Sequence, residues 1–128
     1  MEIKRTYPRK ILVLEKDDSL RDTLVEALTL EGYDLNQAKT GYAGIELAKK
    51  HLPDLIICAS QFSDLSCWDI FKQLRKEKPT RHIRFICLSS RILRDEYERR
   101  MEGVTIIRKP FKNKKLVETI LANLSSFY

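Results

Sequence analysis

Side chains that can bind ions follow several apolar runs of this chain. Glu15, Lys16 and Asp17 follow the first apolar run, Ser89 follows the fourth, and Lys109 follows the fifth. Carboxylate oxygens are ligands for hard cations such as Mg²⁺, whereas a hydroxyl and an ammonium group can hold an anion. These residues are therefore candidates for one ionic pocket, provided that the fold brings them together.

The elements that must position these residues are five short apolar runs that alternate with five helix-like segments. This alternation predicts parallel strands joined by crossover helices. The first, third and fifth runs are almost uninterrupted Ile, Leu and Val, which is typical of strands covered on both faces, so the prediction is a three-layer α/β/α sandwich. The predicted strands are Ile11 to Leu14, Tyr33 to Ala38, Leu55 to Cys58, Ile83 to Leu88 and Val104 to Ile107.

Caps, breakers and residue spacing predict the helices between these strands. Ser19, with Asp22 three residues later, is predicted to cap the first helix, and Gly32 to end it. In the second helix the predicted inward residues include Leu52, and Pro53 ends it. The fourth helix, around residues 92–101, is the weakest prediction because its charges lie on nearly every face. The other inward positions include Leu24, Leu28, Ile45, Ala48, Cys67, Ile70, Phe71, Leu74, Leu116, Val117, Ile120, Leu121 and Leu124.

In an open parallel sheet every strand ends at the same edge, and ligands collect there. Glu15 to Asp17, Ala59, Ser89 and Lys109 are accordingly expected to converge, although they are far apart in the chain. Topology alone thus predicts a pocket.

Four sequence blocks resemble, in order, the signature blocks of response-regulator receiver domains. They are ILVLEKDDSLRDTLVEALTLEGY, PDLIICASQFSDLSCWDI, FICLSS and RKPF, and they cover nearly the whole chain. The resemblance implies a doubly wound, flavodoxin-like sheet with strand order 2-1-3-4-5. It also implies a single domain over residues 1–128, with an N-terminal extension (1–9) and a folded core (10–126), acting in two-component signalling.

The resemblance also assigns roles in the pocket. In receivers an acidic pair after the first strand and an aspartate ending the third hold Mg²⁺, and that aspartate accepts the phosphoryl group. By position, Glu15 and Lys16 replace the acidic pair and Ala59 replaces the aspartate. Ser89 and Lys109 keep the hydroxyl and ammonium that contact the phosphoryl oxygens in the family.

These replacements predict a pocket that does not accept phosphate in the usual way. Ala59 has no atom that can attack phosphorus, so no catalytic residue is predicted. Lys16 offers no lone pair to a metal, so Mg²⁺ binding is predicted to be weak or absent, with no other cofactor. Ile106 stands at the family's switch position and has no polar tip that could report movement of the hydroxyl.

Two placements of Lys16 stay open. Lys16 and Lys109 could face Glu15 and Asp17, so that an ion-pair cluster replaces Mg²⁺ and fixes one conformation. Alternatively, Lys16 turns outward into solvent and has no such role.

The predicted function is a phosphorylation-independent pseudo-receiver, a signalling module that binds other proteins. One alternative is a working receiver with a displaced acceptor, Ser60 or Asp64. Another is anion binding by Ser89 and Lys109 in the vacated pocket.

The charge distribution points to a binding surface. Residues 72–115 contain 15 Lys or Arg and 5 Asp or Glu, whereas residues 1–71 contain 9 and 12. A dense positive face attracts acidic protein surfaces or phosphate backbones. Without a recognised nucleic-acid-binding motif, the sequence favours a protein partner, or a second copy of the chain, over a nucleic-acid adaptor. The predicted surface comprises Arg91, Arg94, Arg99, Arg100, Arg108, Lys112, Lys114 and Lys115.

Cellular placement follows from what the sequence lacks. No stretch reaches the roughly 18 apolar residues of a membrane span, so a cytoplasmic protein with no membrane partner is expected. Cys58, Cys67 and Cys87 show neither CxxC nor Cys/His spacing, and are predicted to be buried thiols rather than a disulfide or zinc site.

Overall fold

The computed structural model describes residues 9–59, 62–89, 104–108 and 112–125. The predicted helix around residues 92–101 lies outside these ranges. The strands are β1 (Lys10–Leu14), β2 (Asp34–Ala38), β3 (Leu55–Ala59), β4 (Arg84–Ser89) and β5 (Thr105–Arg108). The helices are α1 (Asp18–Leu30), α2 (Gly41–His51), α3 (Cys67–Lys76) and α4 (Asn113–Ser125), the last being the final helix that the sequence predicts.

All five strands form one sheet in the order β2-β1-β3-β4-β5, and every neighbouring pair is parallel. Each strand lies within one residue of its predicted position. The predicted doubly wound sheet and its strand order are confirmed.

Two apolar clusters lie on opposite faces of this sheet, because successive residues of a strand point to opposite sides. On one face Leu12, Ile56 and Cys87 pack against α2 and α3. On the other, Ile11 and Ile57 pack against α1 and α4. The three-layer sandwich is therefore confirmed for the described residues, and every strand contributes side chains to it.

Helix α1 begins earlier than its predicted cap implies. Asp17 is the N-cap, and its Oδ1 accepts a hydrogen bond from the backbone N of Leu20 at 2.9 Å. The prediction of Ser19 as the cap was wrong, because Asp17 already satisfies a free backbone donor of the first turn and Ser19 lies inside the helix. The predicted stop is confirmed, since Gly32 has φ +95 just beyond the C-cap Glu31.

Helix α2 ends at His51, one residue before the predicted inward position Leu52. Leu52 adopts a left-handed conformation with φ 48 and is 46% exposed. The inward prediction was wrong because Pro53 disfavours the right-handed helical conformation at the residue before it. Leu52 therefore leaves the helix and its apolar face.

The three cysteines are buried on one side of the sheet, as predicted. Cys58 and Cys87 face each other across β3 and β4, and the Sγ atoms of Cys67 and Cys87 are 3.0 Å apart. Burial raises the pKa of Cys58 and of Cys67 above the usual thiol value. These thiols remain protonated and act as small apolar core residues.

Within the described residues, no helix combines the length and the apolar character that crossing a membrane requires.

Candidate functional site: the C-terminal edge of the sheet

Strand register places the predicted pocket residues side by side at the C-terminal edge. Leu14 pairs with Cys58, so Glu15 and Ala59 follow one residue later on adjacent strands. Ala59 pairs with Leu88, which precedes Ser89 at the end of β4. The backbones of Glu15, Ala59 and Ser89 therefore converge, as topology predicted.

Glu15 is the one buried carboxylate of this edge within the described residues, at 2% exposure. Its Oε2 accepts a hydrogen bond from the backbone N of Asp17 at 3.1 Å, and its own backbone N donates to Ala38 O. Glu15 is thus held in place by the loop that follows it and by β2.

Lys16 and Asp17 have separate roles. Asp17 caps α1, whereas Lys16 is exposed and makes no ion pair with another described residue. Lys109, the other cation of the proposed cluster, lies outside the described residues. The ion-pair cluster therefore stays a prediction, and the exposure of Lys16 favours its solvent-facing alternative.

Arg21 fixes the loop between β1 and α1, a role that the sequence did not reveal. Its guanidinium donates to the backbone O of Glu15 at 2.8 Å, to Gln37 Oε1 at 3.0 Å and to Asp18 Oδ1 at 2.5 Å. The Arg21 hydrogen bond lowers the pKa of the exposed Asp18 carboxyl. An arginine one turn into a helix that follows a sheet-edge loop would have been the signal to look for.

Ala59 is the last residue of β3 and is 4% exposed. Its methyl group belongs to the apolar cluster on the α2 and α3 face and lies in the same cluster as Phe62. The methyl group of Ala59 therefore stands at the end of β3. Topology predicts that this position lies in the pocket.

Asp64 was one of the two candidate displaced acceptors, and its carboxylate is engaged elsewhere. Its Oδ1 accepts from the backbone N of Gly41 at 2.9 Å and its Oδ2 from that of Tyr42 at 3.0 Å. These bonds lower the pKa of Asp64, with that from Tyr42 the largest cause. Asp64 thus holds the N-terminus of α2. The other candidate, Ser60, lies outside the described residues.

The switch position lies on β5. Ile106 faces Cys87 in the register and packs, partly buried, against the cluster on the α2 and α3 face. It is fixed by apolar contact alone, as expected for an aliphatic side chain.

Half of the predicted basic surface lies within the described residues. Arg108, Lys112, Lys114 and Lys115 are all exposed, at the end of β5 and the start of α4. Arg108, Lys112 and Lys115 line a groove of about 540 Å³ together with the apolar residues Ile106 and Ile107. Arg91, Arg94, Arg99 and Arg100 lie outside the described residues.

The sequence matches the response regulator receiver domain over residues 11–121. The chain belongs to the receiver family. It is 25% identical over 119 residues to the polar-differentiation response regulator DivK of Brucella anthropi, with 91% of this chain and 97% of that protein covered. The corresponding protein of Brucella ovis is also 25% identical, over 118 residues.

Solved receiver structures share the fold. The chemotaxis response regulator CheY4 of Vibrio cholerae superposes with a TM-score of 0.83 at 19% identity, covering 90% of this chain and 98% of that one. A response regulator from Desulfuromonas acetoxidans superposes with a TM-score of 0.77 at 26% identity, covering 94% and 99%. The chain is therefore a receiver domain of the two-component type, a signalling module that acts through protein partners.

As a receiver, this chain does not present the ligands with which the family holds Mg²⁺. By the correspondence that the resemblance implies, only Glu15 of the three ligand positions carries a carboxylate, with Lys16 at the second and Ala59 at the third. Mg²⁺ needs hard oxygen ligands in a near-octahedral shell. Within the described residues, moreover, no group of three His, Cys, Asp or Glu side chains is arranged to hold a metal ion. The donor set does not fit the ion.

Proposed function

We propose that this receiver works without phosphorylation, as a pseudo-receiver that presents a basic surface to a protein partner in a two-component-type pathway. The observation that carries the proposal is Ala59, a buried methyl group at the end of β3 where receivers have their phosphoryl-accepting aspartate. A methyl group cannot attack phosphorus, so the covalent step has no nucleophile at that position.

The alternative acceptor Asp64 fits this role poorly. Both of its oxygens accept backbone hydrogen bonds from α2. Attack on a phosphoryl donor would use an oxygen that already accepts a backbone hydrogen bond, and would weaken the contact that holds the helix N-terminus. The second candidate, Ser60, follows Ala59 directly and would have to accept phosphate without the metal that the family uses.

The partner surface is proposed to be the basic face at β5 and α4, formed by Arg108, Lys112, Lys114 and Lys115 together with the four arginines outside the described residues. Lys114 and Lys115 lie in the first turn of α4, which contains no acidic residue. The helix dipole disfavours cations at a helix N-terminus, so this placement reduces stability. Clustered cations in an unfavourable position support a role in binding an acidic protein surface.

The groove beside these cations adds the apolar contact that a protein interface needs. Ile106 and Ile107 line it together with Arg108, Lys112 and Lys115. An apolar centre with a charged rim is the usual anatomy of a protein interface.

Affinity capture from native cell extract tests this function. The unmodified chain, the double variant Lys112→Glu with Lys115→Glu, and a control with the same charge change at exposed positions elsewhere, Lys39→Glu with Lys72→Glu, are compared with and without acetyl phosphate and Mg²⁺. We expect the unmodified chain and the control to retain the same proteins under both conditions, and the double variant to lose them. Retention that depends on the phosphoryl donor, or that survives in the double variant, contradicts the proposal.

A further inference from the structure

A second basic surface lies at the opposite, N-terminal edge of the sheet. The segment from the end of α3 to the start of β4, residues 75–84, contains five Lys or Arg and one acid, Glu77. Its cations are Arg75, Lys76, Lys78, Arg81 and Arg84. This segment, called the basic turn below, is separate from the groove of Arg108, Lys112 and Lys115.

The basic turn is held in a fixed shape by hydrogen bonds. The buried Thr80 hydroxyl donates to Leu74 O at 2.6 Å, and the Arg75 guanidinium donates to Ile83 O at 2.9 Å. The backbone N of Thr80 also donates to Glu77 O at 3.2 Å. Because the backbone is fixed, the exposed cations stand on a preformed surface whose ordering on binding costs little.

Helix α2 adds further positive charge to the same edge. Lys49 Nζ lies 2.9 Å from Glu77 Oε2, so the one acid of the basic turn is paired with a cation of α2. Lys49 and Lys76 also line one groove between α2 and α3. The last turn of α2 contains Lys50 and His51 in addition. Folding thus gathers cations that are far apart in the sequence.

The helix dipole explains only part of this arrangement. Cations in the last turn of a helix, such as Lys49 and Lys76, are favoured by the dipole without any partner. Lys78 and Arg81 lie beyond the end of α3, and both are exposed. The dipole effect falls off within the last turn, so it does not account for these two side chains.

The chemistry of the basic turn identifies the kind of partner. Its exposed side chains, at residues 76–79, 81 and 82, are Lys, Glu, Pro, Arg and His, with no aromatic or large aliphatic residue. Protein interfaces are enriched in aromatic and other apolar residues at their centre, and the segment exposes none, so it suits a protein poorly. Single strands of nucleic acid are bound by stacking on aromatic side chains, which these exposed positions do not supply.

We propose that the basic turn, with the end of α2, binds the phosphate backbone of double-stranded DNA. A duplex presents one negative charge about every 1.7 Å along its axis, and cations that contact it release condensed counterions. Contacts to phosphate alone carry no base preference, so binding is independent of sequence. The proposal is separate from the proposed function, because it concerns the other edge of the sheet.

Fluorescence anisotropy of a labelled DNA duplex of about 20 base pairs, measured between about 50 and 200 mM salt, tests the proposal. The unmodified chain is compared with Lys78→Glu combined with Arg81→Glu, and with Lys39→Glu combined with Lys72→Glu, which changes the net charge equally at two exposed positions outside both basic surfaces. We expect the unmodified chain to bind with a slope of log affinity against log salt of about −4. The affinity of the basic-turn variant for the duplex should fall by more than about tenfold, and its slope should become less steep by about two. The other variant should keep the affinity and the slope of the unmodified chain.

Several outcomes overturn the proposal: no binding at the lowest salt, equal losses in the two double variants, or tighter binding of single-stranded RNA than of the duplex. Competition by polyglutamate as effective as that by unlabelled duplex also overturns it, because it would assign the surface to acidic protein. Lys78→Gln with Arg81→Gln removes the two charges without reversing them. This variant must also bind the duplex more weakly and with a less steep salt slope than the unmodified chain. Far-ultraviolet circular dichroism verifies that each variant is folded.

Discussion

Gly44 of α2 lies directly against Leu14 of β1: a Cβ atom at position 44 would stand 2.6 Å from Leu14 Cδ2 and 2.7 Å from Cδ1. Leu14 is fully buried, so it can give way only by changing its rotamer inside the core. The absence of a side chain at Gly44 therefore sets how closely α2 approaches the strand that ends beside Glu15.

We expect Gly44→Ala to destabilise the protein by about 1 kcal/mol. Overpacking costs about 1–3 kcal/mol, and the higher helix propensity of Ala offsets about 1 kcal/mol of it. Denaturant unfolding measures the difference. The cost should shrink when Gly44→Ala is made in a Leu14→Ala background, which opens the space. An unchanged cost there would show that Leu14 is not the cause.

The carboxylate of Asp64 makes stability depend on pH. Backbone hydrogen bonds hold the pKa of the Asp64 carboxyl below its usual value. A lowered folded-state pKa stabilises the protein above the unfolded-state pKa, and that contribution is lost as the pH falls through the folded-state value. We therefore expect Asp64→Asn to melt at a lower temperature than the unmodified chain at neutral pH, with the gap closing below about pH 4.

Thermal unfolding followed from neutral pH to about pH 3 measures this gap. Asp22→Asn, which removes the same charge from an exposed position of α1, is the control for net charge, and the gap of Asp64→Asn is taken relative to it. A gap for Asp64→Asn that is constant over this range would mean that ionised Asp64 does not stabilise α2.

Leu52 occupies a backbone conformation that suits glycine. Its φ of 48 is left-handed, which costs a residue with a Cβ about 1–2 kcal/mol. Glycine loses more chain entropy on folding, so we expect Leu52→Gly to stabilise by a net amount of about 0.5–1 kcal/mol. Leu30→Gly, in the last residue of α1, is the matched control and should destabilise by a similar amount. Denaturant unfolding measures both changes. A lower denaturant midpoint for Leu52→Gly than for the unmodified chain would contradict this account of the end of α2.

Lys114 lies in the first turn of α4, where the helix dipole disfavours a cation. Lys114→Glu should raise the free energy of unfolding by about 0.5–1 kcal/mol at low ionic strength, and by less in high salt. Lys50→Glu, in the last turn of α2, reverses the geometry and should lower it. If the two substitutions changed the free energy of unfolding by the same amount and in the same direction, the helix dipole would be excluded as the cause.

The apolar runs predicted the strands well because parallel strands covered on both faces must be apolar along their whole length. The placement of Glu15, Ala59 and Ser89 at one edge of the sheet followed as well, since the edge at which parallel strands end is fixed by topology. The exact ends of the helices were harder to predict. Asp17 and Ser19 are both good caps, and the sequence does not show which one the preceding strand leaves in position.

Contacts between distant segments could not be predicted from local patterns. Asp64 binds backbone groups of α2 that are 23 and 22 residues away in the chain, although Thr40 already caps that helix. Lys49 meets Glu77 only when α2 and α3 pack together. The direction of Lys16 was also undetermined, because a lysine next to a pocket can reach either inward or outward at little cost.

The central claim is that residue 59 leaves the receiver without a phosphoryl acceptor, and intact mass measurement after incubation with acetyl phosphate and Mg²⁺ tests it most directly. The unmodified chain should keep its mass, whereas the double variant Ala59→Asp with Lys16→Asp, which restores the family's carboxylates, should gain one phosphoryl group. A phosphoryl-sized gain on the unmodified chain, located by peptide mapping at Ser60, Asp64 or any other side chain, would contradict the account.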